Sequence, residues 1–249
     1  MKIPIITYHA IGDGPAPLWT SIDALGRQMA ALAKAGYSSV TISDLAAKEK
    51  APLLPRRTFA ITFDDGYQSV LNARPLLEEF GFKATLYVVS NFAGSDNRWP
   101  GQPGHVPPAR LLDWEEIASL AAGGWELGSH SKSHPRLSTL DDDDVDEEMA
   151  RSREEIEAQT GASAPTFAFP YGATSGRVRR RAQRYYAAAV GTRLGYVNST
   201  SDRFELPRID AYYVDEGIAA RIGSPVVGSY FFGRQLLRSV KNLVEERRR

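Results

Sequence analysis

The chain of 249 residues contains no cysteine. Disulfides and thiolate metal sites are therefore excluded, and any metal must sit on His, Asp or Glu. Net charge is missing too: 30 Lys and Arg balance 30 Asp and Glu. Nucleic-acid binding driven by a basic excess is thereby excluded, and no nucleic-acid partner is expected. No run of eighteen apolar residues occurs, so no transmembrane segment is predicted. Neither GxGxxG after the first strand pattern nor GxxxxGK[ST] anywhere is present, which removes the usual support for nucleotide chemistry. The opening MKIPIITYHA lacks the long apolar stretch of a signal peptide. The chain as written reads as cytoplasmic; an exported protein whose leader has been removed would read the same way.

What is present is a 43% hydrophobic chain in which short apolar runs alternate with helical patterns. Strands are predicted at 2–8, 37–42, 58–63, 82–89, 124–129, 166–170 and 187–192, with a further one inside 205–214. Between them, Ser21 caps a helix that carries Leu25, Met29, Leu32 and Ala33 and is stopped by Gly36, Ser43 caps a short one, and a helix runs to about Glu79. Asp113 caps another through Ala122, an acidic helix spans 142–160 to Gly161, and residues 176–186 form the next. Seven or eight strands separated by helices, with no dividing linker, predict an α/β fold over 1–249 with a mostly parallel sheet. A single (β/α)7–8 barrel is the first choice and an open doubly wound sheet the rival. The loop 91–110, rich in Gly, Pro and Asn, is long enough to form a functional rim.

In such a barrel, chemistry gathers at the carboxyl ends of the strands. The stretch FAITFDDG brings Asp64 and Asp65 together at one such end, a costly pair unless positive charge meets it. No Lys or Arg follows within seven residues. Three of the four histidines also fall at strand ends: His9, His130 and His134. Two imidazoles plus one carboxylate suit a divalent transition metal with positions left open. One Asp would ligate it and the other would remain free to accept a proton. Either motif alone reads as a capped turn; both together at strand ends read as a metal site.

TFDDG (62–66), HSKSH (130–134) and FPYG (169–172), in this order, resemble the motifs of polysaccharide deacetylases, the NodB-homology domain of carbohydrate esterase family 4. The resemblance implies a distorted barrel, with Asp64 as general base, Asp65, His130 and His134 as metal ligands, and the Tyr171 backbone N–H as oxyanion donor. The implied cofactor is a divalent metal ion, zinc first, with cobalt, nickel, iron or manganese as alternatives. The implied reaction is hydrolysis of the N-acetyl group of an amino sugar in a glycan, with release of acetate.

Two places depart from that pattern. Ala168 stands where the family usually has an arginine, and no histidine occurs after His134 to supply the late general acid. The element ITYHAIG resembles the YHxIG of the subgroup acting on biofilm poly-N-acetylglucosamine, which makes His9 the general acid, and Arg208 in LPRID is a substitute guanidinium for Asp64. Trp99 is the expected stacking platform for sugar, with Tyr171 nearer the metal; His105 in the same loop reads as solvated. Two rival functions use the same residues: hydrolysis of a non-sugar amide, and an inactive glycan-binding module.

Three further features invite plain readings. DDDD (141–144) reads as the solvated start of a helix, and RVRRRAQR (177–184) as a solvated basic face. Leu236, Leu237, Val240, Leu243 and Val244 form an apolar stripe flanked by Arg and Lys on a helix at about 231–247. Packing on the barrel is its first reading; peripheral contact with an anionic membrane surface is the second.

Overall fold

The structure, a computed structural model, describes residues 2–47 and 54–246, with side chains through Arg238. Its strands are β1 (Ile5–Tyr8), β2 (Ala10–Ile11), β3 (Trp19–Thr20), β4 (Ser38–Val40), β5 (Thr58–Phe63), β6 (Thr85–Val88), β7 (Glu126–Ser129), β8 (Thr166–Ala168), β9 (Ala188–Leu194) and β10 (Leu206–Asp210). The helices are α1 (Ile22–Lys34), α2 (Ile42–Ala46), α3 (Arg74–Glu79), α4 (Trp114–Ala122), α5 (Asp142–Thr160), α6 (Gly176–Tyr185), α7 (Glu216–Ala220) and α8 (Pro225–Glu246).

Among the described residues, seven parallel strands close a ring in the order β1-β5-β6-β7-β8-β9-β10, and β10 returns to β1 through Ile6↔Ile209 and Thr7↔Asp210. The expected barrel forms. Its distortion has a visible origin: β4 pairs with the first half of β5, from Ser38↔Thr58 to Val40↔Ala60, and β6 takes over that edge at Thr62↔Thr85. β2 and β3 form a separate two-stranded pair beside the carboxyl end of β1.

Barrel strands are covered on both faces, so they are apolar without strict alternation. All six residues of TFAITF are buried. Period two still sorts them: Phe59, Ile61 and Phe63 join the cluster that includes Leu25, Met29 and Leu32 of α1, whereas Ala60 joins Ile5, Tyr87, Ala168 and Val190. Thr62 and Asp64 continue the Ala60 side, and this alternation aims the Asp64 carboxylate at Arg208 of β10.

The helix caps agree with the sequence except in one case. Ser21 caps α1 and Asp113 caps α4 in a capping box with Glu116. Thr41, not Ser43, caps α2, because the strand before it ends at Val40 and Thr41 reciprocates with Asp44. The helix expected straight after β5 begins as a 3-10 turn, Gln68–Ala73, and becomes α3 only at Arg74. Pro75, which can donate no backbone N–H, falls in the first turn of α3, where none is required.

The acidic and basic runs explain each other. Asp141 caps α5, and Asp142 and Asp146 face α6, where they meet Arg177, Arg181 and Arg184. The basic run is thus a ladder between helices rather than a merely solvated face. α8 starts at Pro225, earlier than predicted, and two residues of its expected stripe, Leu236 and Leu237, are exposed rather than packed on the barrel. Val240, Leu243 and Val244 of that stripe lie outside the residues whose side chains are described.

Candidate active site

The site lies at the strand carboxyl ends. Asp64 and Asp65 follow β5, His130 follows β7, and His9 follows β1. Ring closure brings these ends together, anchored by the Asp64 N–H donating to the Tyr8 carbonyl at 2.9 Å.

Arg208 answers half of the charge problem. Its guanidinium donates to Asp64 in a bidentate fork, Nη1 to Oδ1 at 2.7 Å and Nη2 to Oδ2 at 2.6 Å. Both groups are almost inaccessible, at 2% and 3% exposure, so the pair is desolvated. Further donation to Gly191 O (2.9 Å) and Thr62 Oγ1 (3.1 Å) locks the guanidinium plane. Burial pushes the Asp64 carboxyl up, but Arg208, with help from His130 and His9, outweighs it and holds the group below the usual carboxylate range. Ala168, where an arginine was missing, is a buried barrel residue whose carbonyl serves His130 instead.

Asp65 faces the other way. Its Oδ1 lies 3.3 Å from His130 Nε2 and 3.3 Å from His134 Nε2, and all three residues are buried. His130 Nδ1 sits 2.8 Å from the Ala168 carbonyl, which can only accept, so Nδ1 carries the hydrogen. The neutral ring then turns a bare lone pair from Nε2 toward a carboxylate oxygen. Two acceptors in contact require a cation or a proton between them. Separations of 3.3 Å match the edges of a tetrahedral site with bonds of about 2.0–2.1 Å. The donor set of two imidazoles and one carboxylate fits a borderline divalent ion. Among the described residues this is the one His/Asp/Glu group close enough to hold a metal.

Where a proton rather than a cation lies between these groups, burial raises the Asp65 carboxyl, yet hydrogen bonds from both imidazoles bring it well below its ordinary value. For His130, burial opposes the charged form but Asp65 and Asp64 prevail and raise it; for His134, burial prevails and lowers it.

Backbone strain is concentrated here. Among the described residues, the non-glycine residues with positive φ are Asp65 (70°), Ser131 (68°), His134 (61°) and Tyr171 (56°). Each costs conformational energy that its surroundings must supply. Around His134 the supports are explicit: Ser131 Oγ accepts the His134 N–H at 2.9 Å, and the Glu148 carboxylate of α5 accepts the N–H groups of Lys132 and Ser133 at 2.9 and 2.8 Å. Glu148 was not visible as a site residue in the sequence, because an acidic helix offers many equivalent carboxylates.

Above these groups lies a cavity of about 290 Å³ with His9, Asp64, Asp65, His130, His134 and Tyr171 among its lining. Its walls are mainly apolar, with Pro15, Ala16, Pro17 and Leu18 from one loop and Pro103, Val106 and Pro107 from another. The first wall was not anticipated, since a Pro-rich connection shows its turns but not its destination. His105, read as solvated, is exposed and also lines the rim. Trp99 departs from its expected part. It is 3% exposed, its ring lies 4.3 Å from that of His134, and its Nε1 donates to Tyr171 Oη at 3.1 Å. It braces the site and leaves little free face for a sugar. Tyr171 keeps more exposure, with its ring 4.6 Å from His134 and under the Arg136 guanidinium.

The polysaccharide deacetylase family profile matches residues 53–190, more than half of the 249 residues. The putative polysaccharide deacetylase YxkH of Bacillus subtilis (strain 168) is 24% identical over 213 residues, 84% of this chain and 71% of that protein. The peptidoglycan-N-acetylglucosamine deacetylase PgdA of Listeria monocytogenes is 29% identical over 147 residues, 57% of this chain but only 28% of that longer protein. Among solved structures, the Streptococcus pyogenes deacetylase PplD in complex with acetate superposes with a TM-score of 0.76 at 23% identity, covering 89% of this chain and 96% of that one.

Proposed function

The chain belongs to the polysaccharide deacetylase family, and from that premise we propose that it hydrolyses the N-acetyl group of an amino sugar within a glycan, using a divalent cation held by Asp65, His130 and His134. Family membership makes it a carbohydrate deacetylase, a hydrolase. The metal, the residue roles and the N-acetyl specificity are our reading. The observation that carries it is the pairing of two neighbouring carboxylates with opposite partners: Asp64 in an arginine fork, Asp65 between two imidazoles.

A bound divalent ion supplies Lewis acidity to the acetyl carbonyl and makes an attacking water more acidic. Asp64 takes the water proton. Its fork with Arg208 uses one lone pair on each oxygen and leaves the others able to accept. The fork also keeps the carboxylate ionised in a buried site, at the cost of basicity, which is why the water must be acidified. The Tyr171 backbone N–H, held in the left-handed region, donates to the oxyanion. His9 protonates the departing nitrogen as the C–N bond breaks, leaving acetate and a free amine. The apolar cavity walls suit the non-polar faces of a sugar ring.

Acetate release from N-acetylglucosamine oligomers tests the reading. The metal-supplied chain is expected to release acetate, and Asp64→Asn to reduce the rate by about 10²–10⁴-fold while retaining the metal. Full activity in Asp64→Asn removes it as base, and undiminished activity in His9→Ala removes His9 as acid. Turnover confined to non-sugar amides would favour the rival hydrolase.

A further inference from the structure

The flank of α8 that faces away from the barrel is apolar where a surface helix should be polar. Val227 and Phe231 are buried against the fold, whereas Val226 is 79% and Phe232 74% exposed, with Tyr230, Leu236 and Leu237 exposed beside them. At 100° per residue, Val226, Tyr230, Gly233 and Leu237 form one line, and Phe232 and Leu236 the adjoining one. No charged residue occurs from Pro225 to Gly233. A contiguous exposed patch of this kind marks an interaction surface.

A second observation says what it meets. The segment leading into α8 lines a cleft of about 520 Å³ that contains Lys2, Arg56, Arg57 and Arg221 and, among the described residues, no Asp or Glu. Arg57 donates to the Ala35 carbonyl and Arg221 to the Gly217 carbonyl; among the described residues none of the four cations pairs with a carboxylate. The cleft is continuous with the helix, since Lys2 Nζ lies 3.8 Å from where a Cβ on Gly228 would stand. In sequence, residues 221–249 carry seven Lys and Arg against two Glu, within a chain of formal charge zero.

We propose that this flank of α8, with the adjoining basic cleft, docks the protein on an anionic lipid bilayer. The apolar side chains enter the interface and the cations face the headgroups. α8 is not long and apolar enough to cross a membrane, so it lies on the surface. A second copy of the chain fits less well, because a symmetric contact through α8 would bring like-charged clefts together. The cleft precedes β1 and β5, at the end of the barrel opposite the carboxyl ends that carry the cavity. α8 itself climbs the outside of the barrel, where Gln235 Oε1 accepts the Leu194 N–H at 2.9 Å near the carboxyl end of β9, but no described residue of α8 lines the cavity. Docking through its outer flank therefore leaves the cavity uncovered, and the proposal stands independently of the reaction.

Co-sedimentation of the full chain with phosphatidylcholine vesicles, with and without phosphatidylglycerol, tests it. Binding is expected on the anionic vesicles and is expected to weaken as salt rises. Phe232→Ser with Leu236→Ser should reduce it at least about tenfold, and Arg57→Gln with Arg221→Gln by about fivefold for each charge removed. Thermal melts and acetate release from a soluble oligomer should match the parent in both variants. Three results would each overturn the proposal: equal or no binding to the two vesicle types, variants that bind as well as the parent, or a dimer in sedimentation velocity that the serine variant splits while vesicles capture nothing.

Discussion

Two sets of arginine–carboxylate pairs in this molecule share their chemistry and differ in their surroundings. Arg208 and Asp64 meet inside the barrel mouth, nearly free of solvent. Arg177, Arg181 and Arg184 meet Asp142 and Asp146 on the surface between α5 and α6. In water such pairs are screened and contribute little. Inside, the low dielectric makes each partner indispensable to the other, because removing one strands a buried charge. One arrangement decorates two helices. The other determines the ionisation of a reactive group.

The comparison breaks most visibly at Arg208. Arg208→Ala should cost about 3–5 kcal/mol in a denaturant melt at neutral pH and should reverse the pH dependence that Asp64 contributes. In the parent, the Asp64 pKa is lower folded than unfolded, so its stabilisation is complete above the unfolded value of about 3.9 and is lost as pH falls through the folded value. Without Arg208, burial raises the folded pKa above that reference. Stability should then decline as pH rises from about 4, and the acidic limb of kcat/KM should move to higher pH. An unchanged profile would mean that His130 and His9 suffice. Arg208→Lys should restore part of the stability but less of the rate, since one ammonium cannot reproduce the fork.

A smaller effect is expected where a carboxylate acts through the backbone. Glu148→Ala removes the acceptor for Lys132 N, Ser133 N and Ser133 Oγ, the bonds that hold the strained turn before His134. Metal affinity, measured by chelator competition, should fall about 10–100-fold with little change in the thermal midpoint at saturating metal. Equal affinity would show that ring packing against Trp99 and Tyr171 alone positions His134. Least of all should follow from Arg184→Ala, an exposed side chain whose partner Asp146 keeps Arg181: a melt indistinguishable from the parent in moderate salt, with any difference appearing only at low ionic strength.

These contrasts also mark what the sequence could convey. The barrel was legible because its strands are buried runs bounded by capped helices, and TFDDG and HSKSH fall at their ends. Local pattern shows where a group sits on its own strand. It does not show which strand lies opposite. Arg208 reaches Asp64 across 144 positions of sequence, and only closure of β10 on β1 makes them neighbours. Arg208 was named only because the resemblance left a guanidinium to be found; without such a prompt the same limit hid Glu148 and the Pro15–Leu18 wall. Trp99 failed differently: an aromatic residue in a long Gly/Pro-rich loop looks exposed, but that loop folds over His134 and buries it. The paired acidic and basic runs looked solvated because α5 and α6 are separated in sequence by β8.

The central claim is that Asp65, His130 and His134 hold a cation while Asp64 stands beside it without ligating. Elemental analysis of the purified native chain and three variants tests this most directly. One equivalent of zinc, cobalt, nickel, iron or manganese per chain is expected in the parent and in Asp64→Asn, with its loss in His130→Ala and in His134→Ala. A parent that takes up no stoichiometric transition metal, or an Asp64→Asn variant that loses it as completely as the histidine variants, would contradict the account.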